Sequence, residues 1–220
     1  MTTEPRQLRA GRHGLQRSFV VRDQRERVLA AVADVFEERG YHAATVEDII
    51  RRAGVSRRTF YDQFLDKNEV FLLAYDAVST QCMSVTGAAY ASSVEWPEQI
   101  RRALRAFMLF LENDPAFTRM GFVDIAAAGP EGIVRRNVVL AGFQIFLTPG
   151  LGLAANPVPD SAAAMIAGGI YEMIYARVVN RRINEISQLL PTAVYLCLSP
   201  YLGREVAALQ ADLARAEISE

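Results

Sequence analysis

The chain has 220 residues, 51% hydrophobic and 22% charged, with a net charge of −1. It is long enough for one or two domains, too apolar to be disordered, and not uniformly basic as a general nucleic-acid coat would be. Its two cysteines, Cys82 and Cys197, fit no CxxC or metal-ligand spacing and read as core residues of a reducing compartment.

Strand signals are nearly absent and apolar residues recur at helical spacing, so the expected fold class is all-α. Residues 1–21 read as a polar, basic arm with Arg6, Arg9, Arg12 and Arg17 and no apolar signal-peptide stretch. A helix from Arg22 to Arg39 sets Val28, Leu29, Val32, Val35 and Phe36 on one face, and Gly40 ends it. Thr45 caps a short second helix, with Asp48 answering in a capping box and Val46, Ile49, Ile50 and Ala53 facing inward. Gly54 breaks that helix. Ser56 caps a third, whose core contacts are Phe60 and Phe64, and Asp66 caps a fourth from Lys67 to about Thr86.

The remainder divides at Pro and Gly. Helices are expected from Pro97 to Asn113, from Asp114-Pro115 to Ala128, and from Gly129-Pro130 to a loop over residues 149–159. A long helix runs from Asp160 to Arg182. Another starts at Pro191 with a kink at Pro200, and Gly203 separates it from a last helix ending near Ala216. The longest apolar stretch, Val138 to Ala155, is interrupted by Gln144, Thr148, Pro149 and glycines and makes a poor membrane span. The expectation is a cytoplasmic protein with no membrane partner.

Three short helices in succession, the last two joined by a glycine-containing turn, form a helix-turn-helix. In that motif the second helix of the pair enters the major groove and its first residues reach base edges. Here those residues are Ser56, Arg57, Arg58 and Thr59. The two arginines are forked donors suited to guanine O6 and N7 or to a phosphate. Lys67, the only lysine in the chain, opens the fourth helix, where its ammonium and the first backbone N–H groups suggest a phosphate site. Residues 1–68 carry 13 basic and 10 acidic side chains, and residues 69–220 carry 11 and 15, so the front half is the one to meet DNA.

The run AGVSRRTFYDQFLDKNEVF resembles the DNA-binding signature of the TetR family, and the preceding ERGYHAATVEDII resembles the family's approach to it. The resemblance covers residues 24–84. It implies phosphate contacts at Thr45, Tyr61 and Lys67 and groove contacts at Ser56, Arg57, Arg58 and Thr59. Arg58 departs from the small residue common there, and Asp62 and Gln63 replace a frequent His and Tyr, which leaves the operator sequence open. The seven arginines Arg6, Arg9, Arg12, Arg17, Arg22, Arg25 and Arg27 read either as a minor-groove arm or as a solvated tail.

The implied organisation is an arm (1–21), a DNA-binding domain (22–68) and a helical ligand-sensing and dimerisation domain (69–220). The resemblance also implies a homodimer on a palindromic operator, formed by the helix bearing Gly168, Gly169 and Glu172 and the one bearing Val194 and Leu198. In residues 69–220 there is no histidine, so histidine catalysis and histidine metal ligation are not expected there; neither is any enzyme activity, cofactor or metal. Aromatic and Met side chains at Tyr75, Trp96, Phe107, Phe110, Met120, Phe143, Phe146, Tyr171 and Tyr175 read as core packing or as the lining of a small-molecule effector pocket. Asp124 and Glu172, in apolar settings, need a partner such as Arg119 or Arg177, or a cationic ligand. The expected function is a repressor released by an apolar or amphipathic effector. The alternatives are a ligand-independent or activating regulator and, remotely, an enzyme with an accessory helix-turn-helix.

Overall fold

Helices, joined by short turns, make up the regular structure of the computed structural model, which describes residues 17–219, and no strand occurs among these. Helix α1 spans Arg17–Ala43 and so begins before Arg22, inside the expected arm. No glycine or proline interrupts that stretch, and the i,i+4 pairs Arg22–Glu26 and Asp23–Arg27 support its first turns. Residues 1–16 of the arm, with Arg6, Arg9 and Arg12, lie outside the described residues. At Gly40 the backbone turns to φ 73° and ψ 163°, a conformation open to glycine alone, and the regular helix stops there as expected.

Helices α2 (Val46–Ala53) and α3 (Arg57–Tyr61) follow, then α4 (Lys67–Tyr90). Val28, Val32, Val35 and Phe36 of α1 are buried together with Ile49, Ile50, Ala53, Phe60 and Phe64, which is the expected apolar face with Leu29 left half-buried. Phe71 of α4 joins this core, its ring 4.9 Å from Phe36 and 5.1 Å from Tyr41. The chain accordingly divides into two compact units between Ala77 and Val78, inside α4, and not at the expected 68/69 boundary.

The second unit contains α5 (Trp96–Asn113) and a continuous stretch of α6 (Pro115–Arg119), a π-helical turn (Met120–Asp124) and α7 (Ile125–Ala127). Then come α8 (Pro130–Gln144), a 3-10 segment (Ile145–Gly152) that takes up the start of the expected loop, and α9 (Ala162–Val179). Two short 3-10 turns lead into α10 (Leu190–Ser219). Pro200 stays within helical backbone, and the break in α10 falls only at Gly203, with φ 78° and ψ 169°. The core rows are Ile166, Ile170, Ile174 and Val178 of α9, and Val194, Cys197, Leu198 and Tyr201 of α10 before the break. After the break α10 buries Ala207, Ala211 and Ala214, small enough for close helix packing. Gly150 is held by the same logic: a Cβ there would lie 2.4 Å from the Trp96 ring. Cys82 and Cys197 are buried, and burial pushes both thiols up to about 12, which makes them inert core groups.

Helix α9 is long and apolar enough to cross a membrane by length and composition, yet only 28% of that stretch is buried within the chain. Its outward side carries Met165 and Val179.

Candidate nucleic-acid interface

The helix-turn-helix is assembled by local caps and long-range braces. Thr45 accepts a hydrogen bond from the Asp48 amide, and Asp48 accepts from the Thr45 amide at 3.1 Å and its hydroxyl at 2.7 Å. This is the capping box the sequence suggested. Asp48 is buried and also meets Arg39 and Arg51, each at 3.2 Å. The Thr45 hydroxyl above all, then the Thr45 amide and the two guanidiniums, hold the Asp48 carboxyl below the usual carboxylate range against the opposing effect of desolvation. At the other end of α2, Gly54 adopts the left-handed conformation (φ 64°, ψ 37°) and its N–H donates to the Ile50 carbonyl.

Arg25 and Arg27, read from sequence as part of a minor-groove arm or a solvated tail, are turned to another task. Arg27 donates to the carbonyls of Ala53 (2.9 Å) and Gly54 (3.4 Å) while pairing with Asp23. Arg25 donates to the Gln63 carbonyl and lies over the Phe64 ring at 4.7 Å. Both therefore brace the motif from α1, across its central turn and at the end of α3. The signal for Arg25 was available: it precedes Val28 and Val32 by three and seven residues, on the same side of α1.

Ser56 caps α3 by accepting from the Thr59 amide at 3.0 Å, and the two hydroxyls share a hydrogen bond at 2.8 Å. Phe60 and Phe64 are buried with their rings 5.3 Å apart, which fixes the rotation of α3. Arg57, Arg58 and Tyr61 are then forced outward. Arg58 is 91% exposed, 3.9 Å from Asp62 one turn on. Arg57 lies 3.7 Å from Glu47 and over the Tyr61 ring. The surface presented is thus two forked cations, a phenol and two small hydroxyls, with weak acidic partners that a nucleic acid can displace.

Two residues expected to contact phosphates also make bonds within the motif. Thr45 is exposed and its hydroxyl donates to Asp48. Lys67 is half-buried and donates to the carbonyls of Tyr41 (2.8 Å), Ala44 (2.9 Å) and His42 (3.5 Å).

The expected effector residues separate into groups. Tyr75 is buried in the first unit. Phe107, Phe143 and Phe146 form a chain of ring contacts at 4.8 and 6.3 Å that continues to Tyr90 at 4.9 Å. Trp96 donates to the Phe146 carbonyl at 3.0 Å and packs edge-on against Tyr201. Phe110 pairs instead with Phe117. Met120 is fully buried in the π turn, and Tyr171 stacks on Phe122 and donates to its carbonyl at 3.1 Å. Burial raises the Tyr171 hydroxyl above its ordinary value, and Arg136 over the ring opposes this. Tyr175 faces out at 39% exposure, on the wrong side of α9 for an internal lining. Asp124 is buried and 3.6 Å from Arg119, the structural pairing allowed for above, whereas Glu172 is exposed and needs no buried partner. A separate open cleft of about 480 Å³ has Arg101, Arg102, Arg105, Glu98 and Glu217 beside Ala106 and Leu109 in its walls.

Of the expected dimer residues, Gly168 and Gly169 border open space. Val194 and Leu198 are fully buried inside the chain and cannot meet a partner; their period-four row points to the core, and the outward face of that helix carries Leu196.

Residues 28–74 match the family described as bacterial regulatory proteins, tetR family. The transcriptional activator FasR of Mycolicibacterium smegmatis is 32% identical over 109 residues, half of each chain. EthR of the same organism is 26% identical over 144 residues, 62% of this chain and 66% of that one. The chain thus spans about half to two thirds of the length of these relatives. Among solved structures, FadR of Bacillus subtilis in complex with stearoyl-CoA superposes with a TM-score of 0.71 at 20% identity, over 80% of this chain and 98% of that one.

Proposed function

We propose that the chain, whose residues 28–74 match the tetR family of bacterial regulatory proteins, is a transcription regulator that grips double-stranded operator DNA through α3. The observation that carries this is the pair Arg57 and Arg58 at the start of α3, thrust outward by the burial of Phe60 and Phe64. Ser56, Thr59 and Tyr61 supply the flanking polar contacts to groove and backbone.

The regulator acts as a homodimer on a palindrome. The apolar, little-buried outer side of α9, with Met165, Gly168, Gly169 and Val179, supports a second copy as its cover. Half-sites then lie about 34–36 Å apart, or a multiple of that. Such a regulator works in the cytoplasm, where the DNA is.

The second unit senses a small apolar or amphipathic molecule held near Phe107, Phe143 and Phe146. The stearoyl-CoA bound by the Bacillus subtilis protein supports a long-chain acyl thioester as the first ligand to try. A differential affinity of about 1–3 kcal/mol between DNA-bound and free states suffices for a switch. Ligand-induced release gives a repressor. Ligand-induced tightening gives an activator, a second reading favoured by the name of the FasR relative.

One experiment separates these. An operator is selected from a random-sequence duplex pool with the purified full chain, and its affinity is measured with and without stearoyl-CoA. Weakening supports the repressor, strengthening supports the activator, and equal affinity removes stearoyl-CoA as effector. Failure to enrich any sequence removes the operator reading.

A further inference from the structure

We propose that the open cleft between α5 and α10 is a binding site for a small phosphate monoester with an apolar organic group, and that Glu217 is its internal occupant. The cleft lies wholly within the second unit, and its lining shares no residue with the aromatic chain of Phe107, Phe143 and Phe146. It stands independently of the operator and of the effector sensed there.

The charges come from one face of α5. Glu98, Arg101, Arg102 and Arg105 are three or four residues apart along the helix, so their side chains project together. Arg102 donates to one Glu98 oxygen through Nε at 3.0 Å and through a terminal nitrogen at 2.6 Å, and to the Ser92 hydroxyl at 3.1 Å. The other Glu98 oxygen accepts from the Ser93 hydroxyl at 2.9 Å. These hydrogen bonds, that from Ser93 first, hold the Glu98 carboxyl below the usual carboxylate range. Glu98 is thus built into the wall. Arg101 is only 12% exposed and is oriented by its Nε, which donates to the Gln210 side-chain oxygen at 3.2 Å. One of its terminal nitrogens meets a Glu217 oxygen, and the other Glu217 oxygen lies 3.6 Å from Nε of Arg105. Glu217 therefore spans two guanidiniums with its two oxygens, as a bound anion does. Of the charged lining groups it alone comes from α10, so turning it out leaves the α5 set in place.

The balance of charge selects the ligand. Three guanidiniums face two carboxylates across a cleft of about 480 Å³. With Glu217 turned out, Glu98 alone opposes them and the excess is two positive charges. A phosphate monoester carries about two negative charges near neutral pH and presents three acceptor oxygens, whereas a carboxylate carries one charge and presents two oxygens. Guanidinium forks match phosphate bidentately. Ala106 and Leu109 continue the same lining and offer the organic group an apolar wall.

Isothermal titration calorimetry on the full chain, at fixed ionic strength, compares phenyl phosphate with benzoate, inorganic phosphate and phenol. Phenyl phosphate is expected to bind, benzoate and inorganic phosphate to bind more weakly, and phenol not to bind. Glu217→Gln removes the internal competitor and tightens phenyl phosphate by about tenfold, while Arg105→Ala loses a charge-assisted hydrogen bond and weakens it by about tenfold. Arg215→Ala, which removes a charge of α10 outside the cleft lining, leaves the affinity unchanged. The proposal falls if neither wild type nor Glu217→Gln binds phenyl phosphate, or if benzoate or inorganic phosphate binds as tightly. It falls equally if Glu217→Gln binds no more tightly than wild type, if Arg105→Ala binds as wild type does, or if Arg215→Ala loses as much as Arg105→Ala. Binding by Glu217→Gln alone supports it, with Glu217 as the stronger occupant. If Arg105→Ala does not fold, Glu217→Gln decides, since it keeps the shape of a half-buried side chain.

Discussion

At the scale of single residues, the two arginines of α3 differ in what holds them. Arg57 is steadied by Glu47 and the Tyr61 ring, whereas Arg58 projects into solvent beside Asp62. Replacing Arg58 with Ala is expected to relax base preference by about 1–3 kcal/mol at one operator position. Binding to single-base operator variants checks this, and an unchanged preference profile assigns Arg58 to the phosphates instead. Asp48 makes a second prediction. Its carboxyl is held below the ordinary range by Thr45, Arg39 and Arg51, so the folded state binds its proton less readily than the unfolded chain. The stability it supplies is present above the usual carboxylate range and is lost as pH falls through the lowered value. Thermal melts across mildly to strongly acidic buffers should show a steeper loss in wild type than in Asp48→Asn. The Thr45–Asp48 cap was legible in the sequence because its partners are three residues apart. The internal bonds of Arg27 and Lys67 were not, because each reaches a carbonyl 26 residues away.

At the scale of elements, periodicity found the helices and missed their irregularities. The buried row of α1 and the caps at Thr45 and Ser56 are short-range features, written in 3.6-residue spacing and in hydroxyl side chains. The π turn at Met120–Asp124 leaves no such mark, since widening one turn needs no special residue. The break in α10 was ambiguous because Pro200 and Gly203 both disrupt helices. Proline costs one backbone hydrogen bond yet keeps a helical φ, whereas the φ and ψ of Gly203 lie where only glycine is at ease. Gly203→Ala should therefore destabilise the chain by about 1–3 kcal/mol, read from urea denaturation. No loss in Gly203→Ala would mean the bend is not fixed.

At the scale of the whole molecule, the outer side of α9 is an apolar surface left without a cover. Met165 is 72% exposed and Val179 52%. Met165→Glu with Val179→Glu should shift sedimentation toward the monomer without lowering the melting temperature of the isolated chain. Sedimentation unchanged at all concentrations would place the partner elsewhere. Leu198→Ala should behave in the opposite way, costing about 2–5 kcal/mol of folding stability as a core truncation. The resemblance implied two helices for pairing, but the rotation of a helix apolar on several sides is set by tertiary packing, and Val194 and Leu198 face the core of the chain instead. The division of the chain within α4 has a consequence for how such proteins can be recombined. A chimaera joined after residue 68 would take Phe71 out of the three-ring cluster it forms with Phe36 and Tyr41 and leave that place to whatever side chain the new body supplies. A joint beyond Ala77 carries the aromatic cluster along, so the head is inherited with half a helix that its new body must complete.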